Sequence, residues 1–189
     1  GNMTLTCENK EEYLRSLAFS RIIGYLITDG HMREKEGILF LGHMLDVESF
    51  LSDLKLFVDI RQTNFVHKNL YCVRIPAILA RNIAQLEGII IGRKSTQKAA
   101  LPEFILDESC PRPIVREFLA GMFGGDGHTC YLGLHRGKRD LLTSISFSQT
   151  KSYEHCESLQ KMMEDIQQLF KRCGIHKTTI QKHKETSHS

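Results

Sequence analysis

The chain has 189 residues, of which 41% are hydrophobic and 25% are charged, and its formal net charge is +3. This composition is typical of a globular protein that buries a real core, and it excludes disordered and collagen-like proteins. No transmembrane run and no export signal is visible, so an intracellular location in cytoplasm, nucleus or organelle is expected. A charge of +3 does not by itself indicate nucleic acid, because a basic face can coexist with acidic outer helices.

The six cysteines have no CxxC motif and no paired spacing. We therefore expect free thiols of a reducing compartment rather than a zinc site. The nine histidines form no HExxH motif or other dense cluster of metal ligands. No P-loop, GxGxxG or serine elbow occurs either, so nucleotide-binding and serine-hydrolase functions are not indicated.

The first part of the chain predicts a helix-strand-strand-helix-strand-strand-helix unit over residues 1–88. Its elements are a helix over 10–28, strands over 31–34 and 38–41, a helix capped by Asp46 and ending near Phe57, strands over 60–66 and 70–75, and a helix from Pro76 to Gly88. Apolar residues recur at helical spacing in the helices, and glycine or polar turns separate the strands.

Residues 89–112 are interpreted as a connector, and residues 113–189 as a second unit. The predicted elements are a helix from Pro113 to Asp126, strands over 129–134 and 142–147, a helix capped by Ser152 and ending at Cys173, and a third strand over 175–184. Gly127 is expected to close the first of these helices in the left-handed conformation. The unit lacks a fourth strand and a closing helix, so either it is a fragment or the second half is shorter than the first.

An internal repeat relates the two units. Residues 22–30 align without a gap over residues 119–127, so that Gly24 matches Gly121 and Asp29 matches Asp126, 97 positions away (126 − 29). Repetition of this kind indicates that one structural unit occurs twice. An aspartate at the negative end of a helix is locally unfavourable, and such a broken rule often marks a functional site.

Each copy carries two small residues four positions apart, Gly24 with Thr28 and Gly121 with Gly125. Helices whose contacting face has no bulky side chains can pack backbone to backbone, and this packing would bring the two aspartates together. Two adjacent carboxylates repel unless a cation lies between them, and a divalent metal is the natural candidate. The alternative is two unrelated buried helices that each end in a common Asp-Gly turn.

Both stretches resemble the signature helix of the LAGLIDADG homing endonucleases. The second, LAGMFGGDG, is the closer match, whereas the first has Tyr25 and Thr28 inside the motif. The resemblance implies an α+β fold of two pseudo-symmetric units that form a saddle of antiparallel sheets around DNA. It also implies cleavage of both strands at the foot of the paired helices. The run Leu101-Pro102-Glu103-Phe104-Ile105 further resembles the connector of intein-borne members.

A metal-dependent cleavage site is therefore expected at the two acids. Asp29 and Asp126 are the expected ligands of Mg²⁺, with the backbone carbonyls of Thr28 and Gly125 as further hard oxygen ligands. Mn²⁺ is expected to substitute, and Ca²⁺ to support binding without cleavage. The family places basic and polar side chains around its acids, and by position the candidates are Lys98, Gln149 and Lys151. The alternative is that these three are ordinary surface residues.

The hairpins carry side chains of the types that read base edges, and β-ribbons fit the major groove of DNA. The candidate DNA contacts are Arg33, Lys35, Arg61, Gln62, Asn64, His67, Lys68, Tyr71 and Arg74 in the first unit and Tyr131, His135, Arg136, Lys138, Arg139, Ser144 and Ser146 in the second. A charged loop tip is often only a solvated turn. The set indicates DNA binding more strongly than any one member does.

The sequence thus favours a monomeric, site-specific, Mg²⁺-dependent DNA endonuclease with a long double-stranded target and no membrane partner. The main alternative is a binding protein of the same fold without cleavage, either an intron maturase or a transcription regulator. A structural or adaptor module has only the modest charge in its favour. The setting stays open between an intein-borne, an intron-encoded and a free-standing enzyme.

Overall fold

The structure, a computed structural model, describes residues 5–59, 64–130, 132–135, 138–142 and 144–182, with backbone alone for 64, 132–135 and 138–142. Helices and antiparallel sheets alternate along it, which confirms the predicted α+β class. The first unit contains α1 (Lys10–Thr28), β1 (Gly30–Arg33), β2 (Glu36–Leu41), α2 (Met44–Lys55), β3 (Asn64–His67), β4 (Leu70–Ile75) and α3 (Ala77–Ala84).

The connector and the second unit follow. They contain a 3₁₀ turn (Lys94–Thr96), α4 (Glu103–Leu106), α5 (Arg112–Asp126), β5 (Gly127–His128), β6 (Leu132–His135), β7 (Lys138–Leu142), β8 (Ser146–Phe147), a 3₁₀ turn (Tyr153–His155) and α6 (Cys156–Arg172). The bounds of α1 agree with the predicted helix at both ends. Its N-cap is Asn9, whose side chain accepts a hydrogen bond from the Glu12 N–H at 2.9 Å.

The four strands of the first unit form one antiparallel sheet in the order β1-β2-β4-β3. Because side chains alternate between the two faces of a strand, each strand contributes one row to either face. The inner rows include Met32, Leu39, Val73 and Ile75, which are buried against α1, α2 and α3. The register places the opposite rows together on an outer face, defined by His31, Arg33, Glu36, Ile38, Phe40, Phe65, His67, Leu70, Cys72 and Arg74.

The central helices α1 and α5 pack against each other more extensively than any other pair of elements. A Cβ atom added to Gly24 would lie closer than 3.0 Å to the Phe118 carbonyl oxygen, and one added to Gly121 would lie as close to the Arg21 carbonyl oxygen. The Ser20 hydroxyl also donates to the Ile114 carbonyl at 2.8 Å. The helices therefore meet main chain to main chain, as the small residues predicted.

Arg21 of α1 forms ion pairs with residues of α2 and α5. Its guanidinium donates two hydrogen bonds to Asp53 of α2, at 2.7 and 2.9 Å, and a third to Glu117 of α5. These hydrogen bonds to opposite charges raise the pKa of Arg21, with Asp53 the largest cause. One side chain thereby joins the two central helices to α2.

Several predicted boundaries were wrong. Asp46 lies in the first turn of α2, and the N-cap position belongs to His43 without a side-chain hydrogen bond. Gly127 has φ −86° and ψ 152°, because the chain passes directly from α5 into β5 rather than closing the helix with a left-handed residue.

The second-unit strands also differ from the prediction. In place of strands over 129–134 and 142–147, two short ladders form, β5 with β8 and β6 with β7, the latter with a bulge between Gly133 and His135. The predicted strand over 175–184 is absent from residues 175–182, the part of it that the structure describes. Gly174, with φ +89°, ends α6, and the Ile175 N–H bonds back to the Phe170 carbonyl.

Candidate functional site

The two aspartates of the repeat lie at the same end of the central helix pair. Asp29 is the C-cap of α1, where its N–H donates to the Tyr25 carbonyl at 2.9 Å, and Asp126 is the last residue of α5. Gly125, the residue before Asp126, lies close to the Asp29 side chain, because a Cβ atom added to Gly125 would lie 2.8 Å from Asp29 Oδ2. The close packing predicted from the small residues therefore brings the two acids together.

Burial acts on both carboxyl groups, and the charge of Asp126 acts in addition on Asp29. The pKa of Asp29 is raised from 3.8 to about 6, first by burial and then by the charge of Asp126, while Lys94 opposes the change. The pKa of Asp126 is raised by burial, against the effects of Lys94, Gln149 and His128. Two partly buried carboxylates with raised pKa values are typical of functional sites, and they favour a nearby cation.

Lys94 is a site residue that the sequence analysis did not select. Its ammonium group donates to the carbonyl oxygens of Leu26, Ile27 and Thr28, at 2.6, 2.9 and 2.9 Å. These carbonyls end α1 and have no partner within the helix, so Lys94 caps α1 from the connector. Burial lowers the pKa of Lys94 to about 8, although both acids favour its charged form.

A sequence signal for this lysine did exist. The last turn of α1 contains no basic residue, although a cation is favourable at that end of a helix. The connector holds two adjacent cations in Arg93 and Lys94, but only the fold shows which of them reaches α1.

Of the three predicted accessory residues, one contacts an acid and a second contacts the connector at Lys94. The Gln149 side-chain amide donates to Asp126 Oδ2, and the Lys151 ammonium donates to the Lys94 carbonyl oxygen. Lys151 is buried, and burial lowers its pKa. Lys98 is exposed, and the connector lysine that contacts the end of α1 is Lys94.

The carbonyl groups proposed as further metal ligands differ in their surroundings. The Thr28 carbonyl oxygen accepts a hydrogen bond from Lys94, which uses one of its two lone pairs. Gly125 lies against the Thr28 and Asp29 side chains at the helix crossing. No group of three or more His, Cys, Asp or Glu side chains with the geometry of a metal site occurs in the part of the chain that the structure describes. The two aspartates are thus the acidic donors that the site offers.

The candidate DNA contacts of the first unit separate into three groups. Arg33, His67 and Arg74 lie on the outer face, and Lys35 and Lys68 are exposed in the turns of the two hairpins. The backbone of Asn64 pairs with Val73, and Tyr71 belongs to an inner row and packs against the core. Arg61 and Gln62 lie outside the described residues.

In the second unit fewer candidates can be placed. Ser144 and Ser146 are exposed beside or within β8, and His135, Lys138 and Arg139 lie in β6 and β7, of which only the backbone is described. Tyr131 and Arg136 lie outside the described residues. His128, which the sequence analysis did not select, is exposed on β5, and its charge lowers the pKa of Asp126.

None of the helices that the structure describes is long and apolar enough to cross a membrane.

Curated relatives share one stretch with this chain and are otherwise much longer. The chain is 28% identical over 178 residues to the tRNA-splicing ligase RtcB of Methanopyrus kandleri. This match covers 84% of this chain and 17% of the ligase. It is 27% identical over 166 residues to the replication factor C small subunit of Methanocaldococcus jannaschii, 79% of this chain and 9% of that protein. The chain is also 28% identical over 182 residues to the ligase RtcB of Pyrococcus furiosus. This match covers 86% of this chain and 18% of the ligase. The chain spans less than a fifth of the length of each.

A family model covers the second unit. Residues 113–189 match the LAGLIDADG-like domain, and this match contains α5 with Asp126 at its end. It confirms the resemblance of the second helix signature, and it indicates a nuclease or nucleic-acid-binding function. Over residues 113–189, the chain is therefore similar to the LAGLIDADG-like domain.

Proposed function

We propose that this protein is a monomeric, site-specific DNA endonuclease that hydrolyses both strands of a long duplex target. One observation carries the proposal: the helix pair presents one acid from each unit at a single place, beside Lys94. A protein that only binds DNA has no need to hold two repelling, partly buried carboxyl groups together.

A divalent cation fits the donors present at this place. Both acids supply hard carboxylate oxygens, and burial raises the pKa of each, so a bound cation would stabilise their charged forms. Asp29 and Asp126 would hold Mg²⁺, with Mn²⁺ as a substitute. When bound, the metal supplies Lewis-acid stabilisation of the leaving oxygen and a more acidic water. Ca²⁺ is expected to support DNA binding alone.

The other residues of the site position these acids. Gln149 donates to Asp126 and thereby fixes the orientation of its carboxylate. Lys94 holds positive charge at the end of α1, where it opposes the repulsion between the acids and attracts phosphate. Lys151 binds the Lys94 carbonyl, and the Ser152 N–H donates to the Ser95 carbonyl at 2.9 Å. The connector turn therefore makes hydrogen bonds both to the end of α1 and to residues 151 and 152.

The relatives support an origin as an inserted element. A stretch that covers most of this chain makes up a small part of a ligase and of a replication factor, whose named functions differ. Shared sequence within otherwise different proteins favours a mobile module rather than a part of either activity. An intein-borne nuclease fits this pattern, and the connector resemblance points the same way.

The alternative is a protein of the same fold that binds nucleic acid without cutting it. Asp29→Asn and Asp126→Asn separate the two functions, because each keeps the side-chain shape while removing one charge. Each single variant should bind the target in Ca²⁺ as well as the wild type or better, since repulsion of phosphate is reduced. Neither should cut a target-bearing plasmid in Mg²⁺.

Because the two acids act as one unit, the double variant should cut no less than either single variant. Gln168→Glu, at an exposed position of α6, is a control that changes charge away from the site. EDTA should abolish cleavage by the wild type. Full cutting by either single variant would overturn the shared-site mechanism, and binding without cutting by the wild type would favour the alternative.

A further inference from the structure

The outer face of the first sheet begins where the acidic site ends. β1 starts at Gly30, directly after Asp29, and the Phe40 N–H of β2 donates to the Asp29 carbonyl at 3.2 Å. A duplex whose phosphodiester lies at the acids would therefore place its neighbouring bases against this face. This step rests on the proposed function.

The centre of that face is apolar. In the register, Phe40 of β2 lies opposite Cys72 of β4, and Phe65 of β3 lies opposite the same cysteine from the other side. Ile38 lies one row away, between His31 and Arg74. Ile38, Phe40 and Phe65 are all outside the hydrophobic core cluster, and Phe65 is 39% exposed.

The rim of the face is basic. Lys35 and Lys68 in the hairpin turns, with Arg33 and Arg74 in the strands, bring four positive charges against Glu34 and Glu36, and Arg33 pairs with Glu36 at 3.5 Å. The Arg74 guanidinium lies 4.9 Å from the centre of the Phe65 ring, within the range of a cation–π contact. Apolar side chains enclosed by cations suit a polyanion that also presents apolar groups.

In the major groove of DNA the distinctive apolar group is the 5-methyl of thymine. We infer that this sheet selects its half of the target through thymine methyl groups, which Ile38, Phe40 and Phe65 contact, rather than through hydrogen bonds from the centre of the face. Polar base readout in this half would then come from the rim, including Arg74. Ile38, Phe40 and Phe65 are thus specificity-determining residues.

The test replaces thymine by uracil, which removes only the methyl group. A target is first selected from a randomised duplex library with the full-length protein in Ca²⁺. Uracil is then substituted throughout one half of the target at a time. Binding should weaken about fourfold for each contacted methyl, as expected for one buried carbon. The effect should be confined largely to one half.

Two variants assign that half to the sheet. Phe65→Ser should reduce the difference between thymine and uracil duplexes by about fourfold, the share of one contacted methyl. Val66→Ser is the matched control, because Val66 is 66% exposed on the same strand but belongs to the inner row. It should keep the difference intact.

Equal binding of thymine and uracil duplexes by the wild type would overturn this inference while leaving DNA binding in place. A uracil effect that Phe65→Ser leaves unchanged would also overturn it, because the methyls would then contact other residues. A wild-type dimer that Phe65→Ser dissociates, measured by sedimentation, would show that a second copy covers the face instead. Absence of any duplex binding would overturn the proposed function itself.

Discussion

Asp29 holds its proton to a higher pH in the folded protein than in the unfolded chain. Its pKa is about 6 in place of 3.8, because of burial and the charge of Asp126. The folded state therefore binds more protons than the unfolded state between these values. Its contribution to stability is fully present below about pH 4 and is lost as the pH rises through about 6.

Asp29→Asn should accordingly raise the melting temperature at pH 7, where the wild-type group is charged, and leave it nearly unchanged at about pH 4. Thermal unfolding followed by circular dichroism across this range, without divalent metal, measures the difference. Asp59→Asn, at an exposed position, is the control. A lower melting temperature of Asp29→Asn at pH 7 would show that the charged carboxylate is satisfied in the absence of metal.

Lys94 acts on the same end of α1 through its three carbonyl contacts. Lys94→Met keeps the length of the side chain and removes every donor, which leaves the carbonyls unpaired. We expect a loss of about 1–3 kcal/mol in the free energy of unfolding, together with a loss of cleavage. Urea denaturation and plasmid cleavage measure the two effects.

Lys98→Ala is the matched control, because this exposed connector lysine lies four positions away. It should change stability by less than about 0.5 kcal/mol, as is usual for surface substitutions. If Lys94→Met were as stable as the wild type, the capping contacts would contribute little. If Lys98→Ala abolished cleavage, Lys98 rather than Lys94 would be the connector lysine that acts at the site.

At the scale of the element, the contact between α1 and α5 depends on glycine. Gly24→Ala and Gly121→Ala should each destabilise the protein by about 1–3 kcal/mol or more, because the added methyl meets backbone atoms that cannot rotate away. Each should also weaken cleavage, since the acids lie at the end of the same contact. Chemical denaturation and the plasmid assay measure both.

Gly42→Ala provides the comparison, because a Cβ at Gly42 meets nothing within 4 Å. It should be close to neutral in both measurements. Wild-type stability in Gly121→Ala would show that the helices separate without loss, and that the main-chain contact does not hold the site together.

The helices were easier to predict than the strands of the second unit, for a physical reason. The apolar spacing of α1 and α5 reflects burial in the core, so it is visible in the sequence and gives the acids their place. β5 and β8 have two residues each, and His128 and Ser146 are exposed, so no alternating pattern marks them. Lys94 lies 66 residues from Thr28, and only tertiary packing brings the two together.

For the whole molecule, charge distribution matters more than the net charge of +3. DNA binding should weaken steeply with salt, because lysine and arginine contacts release counterions from phosphate. Replacement of Lys138 and Arg139, in β7, by alanine should reduce the slope of log affinity against log salt by about one for each phosphate that is no longer neutralised. Fluorescence anisotropy over a salt series gives the slope.

Lys161→Ala with Lys171→Ala removes the same charge from exposed positions of α6 and should leave the slope almost unchanged. Equal slopes for the β7 variant and the wild type would place that hairpin away from the DNA. The comparison separates a local effect at the hairpin from a general effect of net charge.

The glycine contact between α1 and α5 has a consequence for how such a protein diversifies. The spacing of the two acids is set by main-chain atoms and bare helix faces, not by side chains of the sheets. Substitutions on the outer face can therefore accumulate without changing the distance between the two acids. In the proposed endonuclease, mutation could then change base recognition one position at a time while the arrangement of the two acids stays constant.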